Sequence, residues 1–397
     1  MSTRPRKPSQ QNSKSGRSML KSNRSAQNDV DKQKTNRNAE ISYLMGFVQN
    51  IEDEKSLHQP TTKGENIKAF VKRIFGNFDS VLDEYQELKL EPPSTSLTSN
   101  VSIKYPAKNR YVDVLCYDQT RVILQDGTTG DYIHANFVDG YKQSRAYIAT
   151  QGPMMGTFAD FWRMVWQEEV YVIAMLTRVQ EQNRTKCDQY WPNQLHQELV
   201  CGNFTIICRR ILMRDYYNYT ELVIKNKHTG TSRPCVHMQY LAWPDFGVPV
   251  NSSLFLAYLD VLRKTHQRFM VKRKRPYQGH ILGPPYVVHC SAGIGRTGTF
   301  CAIDISCRRL LDVGRINIQD VVRQLRRQRF MCVLKPEQYM FICLAVIQFA
   351  INYQLTPSVA NIYSGKQPTI PKNFPKKSRK HRGDEAAGEA NHYLSEH

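Results

Sequence analysis

No two cysteines in this chain stand in a C-x-x-C spacing, and its ten cysteines form no even ladder. That excludes a zinc ribbon or a disulfide framework and suits a reducing compartment. Long apolar runs are missing too. The longest, at 341–351, falls short of the about 20 residues a helix needs to cross a bilayer. The opening MSTRPRKPSQQNSKSGRS has no apolar core of the kind a secretory leader carries, so the cytoplasm or the nucleus is the expected location. No internal repeat is visible, which sets solenoids aside. Acidic residues are in deficit, 35 Asp+Glu against 55 Lys+Arg, for a formal net charge of +20. Such a balance suits phosphopeptides, an anionic membrane surface or nucleic acid and does not choose among them. Much of the excess lies toward the chain ends, and the base-stacking alternation of aromatic and basic residues is absent, so no specific nucleic-acid binding is expected.

What is present divides in three. Residues 1–60 are expected to form a disordered basic tail, 61–355 one folded domain, and 356–397 a second basic tail. An acidic partner or an anionic membrane surface is the expected contact of these tails, and the run KKSRKHR at 376–382 resembles a nuclear-import signal. Apolar residues at helical spacing over 67–88 predict one or two opening helices. Strand-like alternation follows at 110–124 and 131–138, then a short strand at 146–150. A Phe/Trp/Met stripe at 157–169 predicts a core-facing helix, and VYVIAML at 170–176 a strand buried on both faces. Residues 204–213, 217–225 and 234–240 alternate like three antiparallel strands. Helices are predicted over 254–271, 318–327 and 336–353; the basic run at 268–275 reads as a solvated loop. Together these imply an α/β domain built on one mixed sheet.

The chemistry concentrates at 286–300, YVVHCSAGIGRTGTF. A short apolar strand stops at Cys290, a loop runs through Ser291, Ala292, Gly293, Ile294 and Gly295, and a helix begins near Arg296. Inward-pointing loop amides and the helix N-terminus make an anion cup. A thiol in that cup is expected to ionise, and the planar fork of Arg296 can hold two oxygens of a phosphate or sulfate. A lone cysteine ahead of a helix would be structural; His289, both glycines and the Arg296-Thr297 pair in register argue for a nucleophile. The cup alone also fits sulfur-transfer or arsenate chemistry. Attack on phosphorus would give a cysteinyl-phosphate, and a departing phenol, with a pKa of about 10, would need a proton. Asp245, in the loop WPDFGVP anchored by Trp243, is the best carboxyl group for that task.

Over roughly 65–353 the chain resembles the phosphotyrosine-specific branch of the cytosolic protein tyrosine phosphatases. The segments that carry the resemblance are KNRYVDV, DYIHANFV, TQGP, KCDQYWP, WPDFGVP and HCSAGIGRTG, in the family's order. It implies a strongly twisted mixed β-sheet flanked by helices, no metal or other cofactor, and a tyrosine-phosphorylated protein as substrate. It also implies roles: Cys290 the nucleophile, Arg296 the phosphate clamp, Asp245 the acid that becomes the base. His289 and Thr297 would tune the thiolate. Tyr111 would wall a cleft too deep for phosphoserine, and Asp113 would grip the substrate backbone. Glu181 would orient the clamp and Lys186 contact the acid loop. The KNRY segment disfavours a dual-specificity enzyme.

One departure matters. The closing segment RFMCVLKPEQ keeps Gln338, the second of two family glutamines, but has Leu334 at the position of the first. That amide orients the water that hydrolyses the cysteinyl-phosphate, and leucine has no hydrogen-bonding group. The alternative function is therefore a phosphotyrosine-binding module with slow or negligible turnover. His134 also stands where the family usually has asparagine, a change expected to be tolerated.

Overall fold

The computed structural model describes residues 51–125, 130–273 and 275–355. The expected tails at 1–50 and 356–397, with the basic run at 376–382, lie outside the described residues. The amino-terminal boundary expected at residue 60 moves. Ile51, Ser56 and His58 are buried. Ser56 Oγ donates to the Gly140 carbonyl at 2.7 Å, and the Leu57 amide donates to the Asp139 carboxylate at 3.0 Å. These anchors are hydrogen bonds rather than an apolar stripe, so periodicity does not reveal them.

The strands are β1 Arg121–Ile123, β2 Tyr132–Gly140, β3 Gln143–Thr150, β4 Val172–Met175, β5 Gln180–Glu181, β6 Arg184–Thr185, β7 Glu198–Cys201, β8 Phe204–Met213, β9 Tyr217–Asn226, β10 Ser232–Tyr240 and β11 Tyr286–His289. Nine of them form one sheet in the order β1-β2-β3-β11-β4-β10-β9-β8-β7, and β5 with β6 makes a separate ribbon. The contacts β3–β11, β11–β4 and β4–β10 are parallel, and those on either side of this centre are antiparallel. The expected mixed sheet is thus present, and β4 and β11 are buried along their whole length.

The helices are α1 Ile67–Gly76, α2 Asp79–Leu90, α3 Asn100–Lys104, α4 Phe158–Gln167, α5 Ser252–Lys272, α6 Gly295–Val313, α7 Ile318–Gln328 and α8 Pro336–Asn352. Asn side chains cap α1, α5 and α7 by accepting amide N–H groups of the first turn. The stripe of α4 places Phe161, Trp162, Met164 and Val165 in one core with Ile173, Ile206 and Val287 of the sheet. Each such fully buried side chain contributes about 1.5–3 kcal/mol. α8 is nearly all apolar because it packs against α5 and α6 and is covered all round. Among the described residues no helix is long and apolar enough to cross a membrane.

Two readings change. The strand expected over 110–124 shrinks to β1, because 110–120 folds through turns, one closed by the Val114 amide on the Tyr111 carbonyl at 3.4 Å. Val114, Cys116 and Tyr117 are buried there without a ladder, so alternation was mimicked by turns. In the basic run, Arg268 donates to the Tyr219 hydroxyl at 2.6 Å, and Arg273 donates to the Tyr171 hydroxyl at 2.8 Å and pairs with Glu169. Those two arginines fasten the end of α5 to the sheet rather than standing free in a solvated loop.

Candidate active site

β11 lies between β3 and β4, so its carboxyl end opens at the centre of the parallel strands, where open α/β sheets hold ligands. Cys290 follows the strand and is 5% exposed. The Thr297 hydroxyl, in the first turn of α6, donates to its Sγ at 3.3 Å. Among the described residues, none of the amide N–H groups of Ser291, Ala292, Gly293, Ile294, Gly295 and Arg296 has an acceptor within the protein. Six unpaired amides directly following the thiol and leading into a helix N-terminus are the make-up of an oxyanion cradle. Gly293 is indispensable to its shape. Its φ is +71°, and a Cβ there would stand 2.1 Å from the Thr150 carbonyl oxygen.

Arg296 is aimed by two arms. Its Nη1 and Nη2 donate to the two oxygens of Glu181 at 2.6 and 2.7 Å, and Nη1 also donates to the Leu176 carbonyl at 3.1 Å. Burial alone would raise the Glu181 carboxyl, but Arg296, the Arg178 amide and the Thr177 hydroxyl outweigh it and hold it below the ordinary glutamate value. The guanidinium also lies over the Trp243 ring, 5.6 Å from its centroid. Trp243 is buried against Phe255 of α5 and Phe341 of α8. Its Nε1 donates to the Gly247 carbonyl at 3.2 Å, which ties the ends of the WPDFGVP loop together. Between these ends Asp245 is exposed and has no side-chain partner among the described residues.

On the opposite rim Tyr111 and Ser291 share a hydrogen bond of 2.7 Å, which seats the 111–114 segment against the cradle. Ser291 Oγ also donates to the Lys186 carbonyl at 2.8 Å. Asp113 is half-exposed and unpartnered among the described residues. Burial depresses the Lys186 ammonium, and no contact joins it to Asp245 among the described residues. Gln338 accepts the Leu334 and Lys335 amides at 3.0 and 3.3 Å, closing the first turn of α8. Its Nε2 borders the cradle, 2.8 Å from where a Cβ on Gly295 would be. Leu334, half-buried, uses its backbone on both sides, its carbonyl accepting from the Tyr85 hydroxyl.

His289 acts through the backbone. Its Nδ1 donates to the Cys290 carbonyl at 3.1 Å, which leaves Nε2 to accept the Tyr190 hydroxyl at 2.6 Å. The Tyr190 oxygen in turn accepts from His237 Nε2 at 2.9 Å. Burial holds His289 down to about 4, so it is neutral at pH 7.

Sequence reasoning missed Arg329, named only as the start of a segment. It is fully buried. It donates to the carbonyls of Gly293 and Ala292 at 3.2 and 3.0 Å, to Asn136 Oδ1 at 2.8 Å and to His134 Nδ1 at 3.1 Å. No carboxylate pairs with it among the described residues. Burial and the Arg329 charge hold His134 down to about 3, so its neutral ring donates through Nε2 to the Val114 carbonyl at 2.8 Å. The 111–114 segment, His134, Arg329 and the cradle are therefore one hydrogen-bonded chain. Arg329→Met leaves up to four buried acceptors unpaired, at about 1–3 kcal/mol each. We expect a stability loss of about 3 kcal/mol or more, read as a lower urea midpoint; an unchanged midpoint would refute the bracing role.

Residues 105–348 match the family model described as protein-tyrosine phosphatase. The chain is 39% identical over 310 residues to the tyrosine-protein phosphatase non-receptor type 9 of Rattus norvegicus, a match covering 77% of this chain and 52% of that protein. Its Homo sapiens counterpart is 38% identical over 314 residues, covering 78% and 53%. The tyrosine-protein phosphatase Lar-like of Caenorhabditis elegans is 42% identical over 248 residues, covering 62% of this chain and 10% of that protein. The chain thus spans about half the length of the type 9 relatives it matches. The model match alone covers more than half of the chain, and on that ground the chain belongs to the protein-tyrosine phosphatase family.

Proposed function

We propose that this chain removes phosphate from tyrosine residues of proteins in two steps through Cys290. The observation that carries the reading is the cradle: six unpaired amides, a thiol held by Thr297 and a guanidinium fixed by Glu181 converge at one strand end. In the first step Sγ attacks phosphorus; the S–P bond forms, the P–O bond to tyrosine breaks, and Asp245 gives its proton to the phenolic oxygen. In the second, water attacks phosphorus, Asp245 takes the proton back, and the S–P bond breaks. Arg296 and the amides stabilise the charge on the equatorial oxygens in both. Movement of the exposed Asp245 loop about its buried Trp243 end would bring the acid to the leaving oxygen and exclude water. Tyr111, joined to Ser291, sets the depth of the cleft, and Asp113 is available to a peptide backbone. A cytoplasmic setting is part of the proposal, supported by the non-receptor type 9 relatives. The basic tails remain the proposed contact for an acidic partner or an anionic membrane surface.

Leu334 supports a second reading, a module that captures phosphotyrosine and releases phosphate slowly. An apolar side chain stands at the position where the family's water-orienting amide is expected, while Gln338 Oε1 is engaged by two backbone amides. Rapid-quench kinetics on a phosphotyrosyl peptide separate the readings. The expected result is a stoichiometric burst followed by slower release, and about a tenfold rise in steady-state turnover for Leu334→Gln, the scale of one restored hydrogen bond to the attacking water. A linear course in the wild type with no gain in the variant rejects slow hydrolysis. No turnover and no trapped phosphoenzyme would refute the phosphatase.

A further inference from the structure

Away from the cradle the structure contains a cavity of about 250 Å³ between the 57–63 segment and helices α6 and α7. Tyr141, His58 and Arg309 are buried in its wall, and Lys63, Asn317 and Asp320 stand at its rim. Neither Cys290, Arg296 nor the WPDFGVP loop contributes to it. At about 30 Å³ per water, it has room for a tetrahedral anion with several waters.

Its wall is short of acceptors. Arg309 is 3% exposed. Its Nη2 donates to Thr61 Oγ1 at 2.7 Å and to the Lys63 carbonyl at 2.6 Å. Its Nη1 lies 3.8 Å from the Asp320 carboxylate, beyond hydrogen-bond reach, and its Nε has no partner among the described residues. His58, 4% exposed, likewise has an unpartnered Nε2. A buried polar group left unpaired costs about 1–3 kcal/mol, and two in one wall call for a missing partner. The local field is positive. Burial depresses the Arg309 guanidinium, with Asp320 only partly offsetting it. Burial, with the Arg309 charge adding to it, holds His58 down to about 3. One carboxylate, Asp320, stands near Arg309, and a second cationic residue, Lys63, lines the rim.

We infer that this cavity is an oxyanion site, taking a phosphate or carboxylate group that accepts from the Arg309 guanidinium, the Lys63 ammonium and the neutral His58 ring. With Nη2 engaged, the free Nε–H of Arg309 supplies one charge-assisted hydrogen bond to such a group. The bound anion would fasten the 57–63 segment to α6 and α7. The inference is independent of the chemistry at Cys290.

The test uses the full chain carrying Cys290→Ser and Arg296→Met, so that the cradle does not compete. Inorganic phosphate, acetate and a phosphoserine hexapeptide are titrated while the ¹⁵N–¹H signal of Arg309 Nε is followed, with chloride at equal ionic strength as control. A saturable shift with phosphate or acetate is expected, and the anion that saturates first identifies the group. Saturation by the peptide at lower concentration than free phosphate assigns a chain-borne source; the reverse assigns the free ion. Bound anion also raises the thermal midpoint by mass action. Lys63→Ala, at an exposed position, is expected to raise the half-saturating concentration about two- to fivefold, the range of a solvent-exposed ion pair. Arg309→Met is expected to remove the midpoint rise; if that variant does not fold, the Nε signal and Lys63→Ala carry the test. An Nε signal that moves no further with the anions than with chloride overturns the site.

Discussion

Replacing Cys290 by serine is expected to lower turnover of a phosphotyrosyl peptide by about five to six orders of magnitude, the scale on which an essential nucleophile is lost. The reason lies in the neighbours. A serine hydroxyl needs a base, and the adjacent His289 cannot serve: Nδ1 is bound to the Cys290 carbonyl and Nε2 to the Tyr190 hydroxyl. Among the described residues, the only side-chain group hydrogen-bonded to Sγ is the Thr297 hydroxyl, which donates. The loop amides and Arg296 are untouched by the change, so the peptide should still bind. Initial rates together with equilibrium binding of a labelled peptide check both halves. Turnover within a hundredfold of wild type would place the chemistry elsewhere.

Asp245→Asn is expected to cost about 10²–10⁴ in turnover of phosphotyrosine, the usual contribution of a positioned acid. Asp245 is exposed and has no partner among the described residues, so the fold should not register the change. The decisive comparison is between leaving groups. Tyrosine leaves as a phenol of pKa about 10 and needs the proton; an aryl phosphate with a far more acidic phenol leaves without help and should lose much less. Equal losses on the two substrates would mean that Asp245 does something other than protonate the leaving oxygen.

The parts of this site legible in the sequence are those written locally. HCSAGIGRTG specifies strand end, turn and helix start within one stretch, and period-two runs such as VYVIAML report a strand buried on both faces. WPDFGVP shows a loop with fixed ends, though only the structure shows Trp243 held between α5 and α8. Glu181 reads as a surface charge until the resemblance gives it a partner, because Arg296 is far along the chain. Arg329 has no local signal at all. Its acceptors come from β2 and from the cradle, and only closure of the fold brings them to one point. Turns at 110–120 imitate a strand because burying every second or third residue gives the same pattern as a pleat. Hydrogen-bonded anchors, as at Ser56, leave no apolar trace.

The burial of Arg329 has a consequence for salt. Ions in solution weaken charges they can approach, over about 10 Å at 0.1 M. Exposed lysines and arginines, which under the proposed function would draw a phosphorylated partner, are open to them. Arg329 is walled off by its own acceptors, so counterions cannot gather round its guanidinium. Rising ionic strength should therefore slow the encounter with substrate while sparing the bound complex: kcat/KM falls and kcat holds.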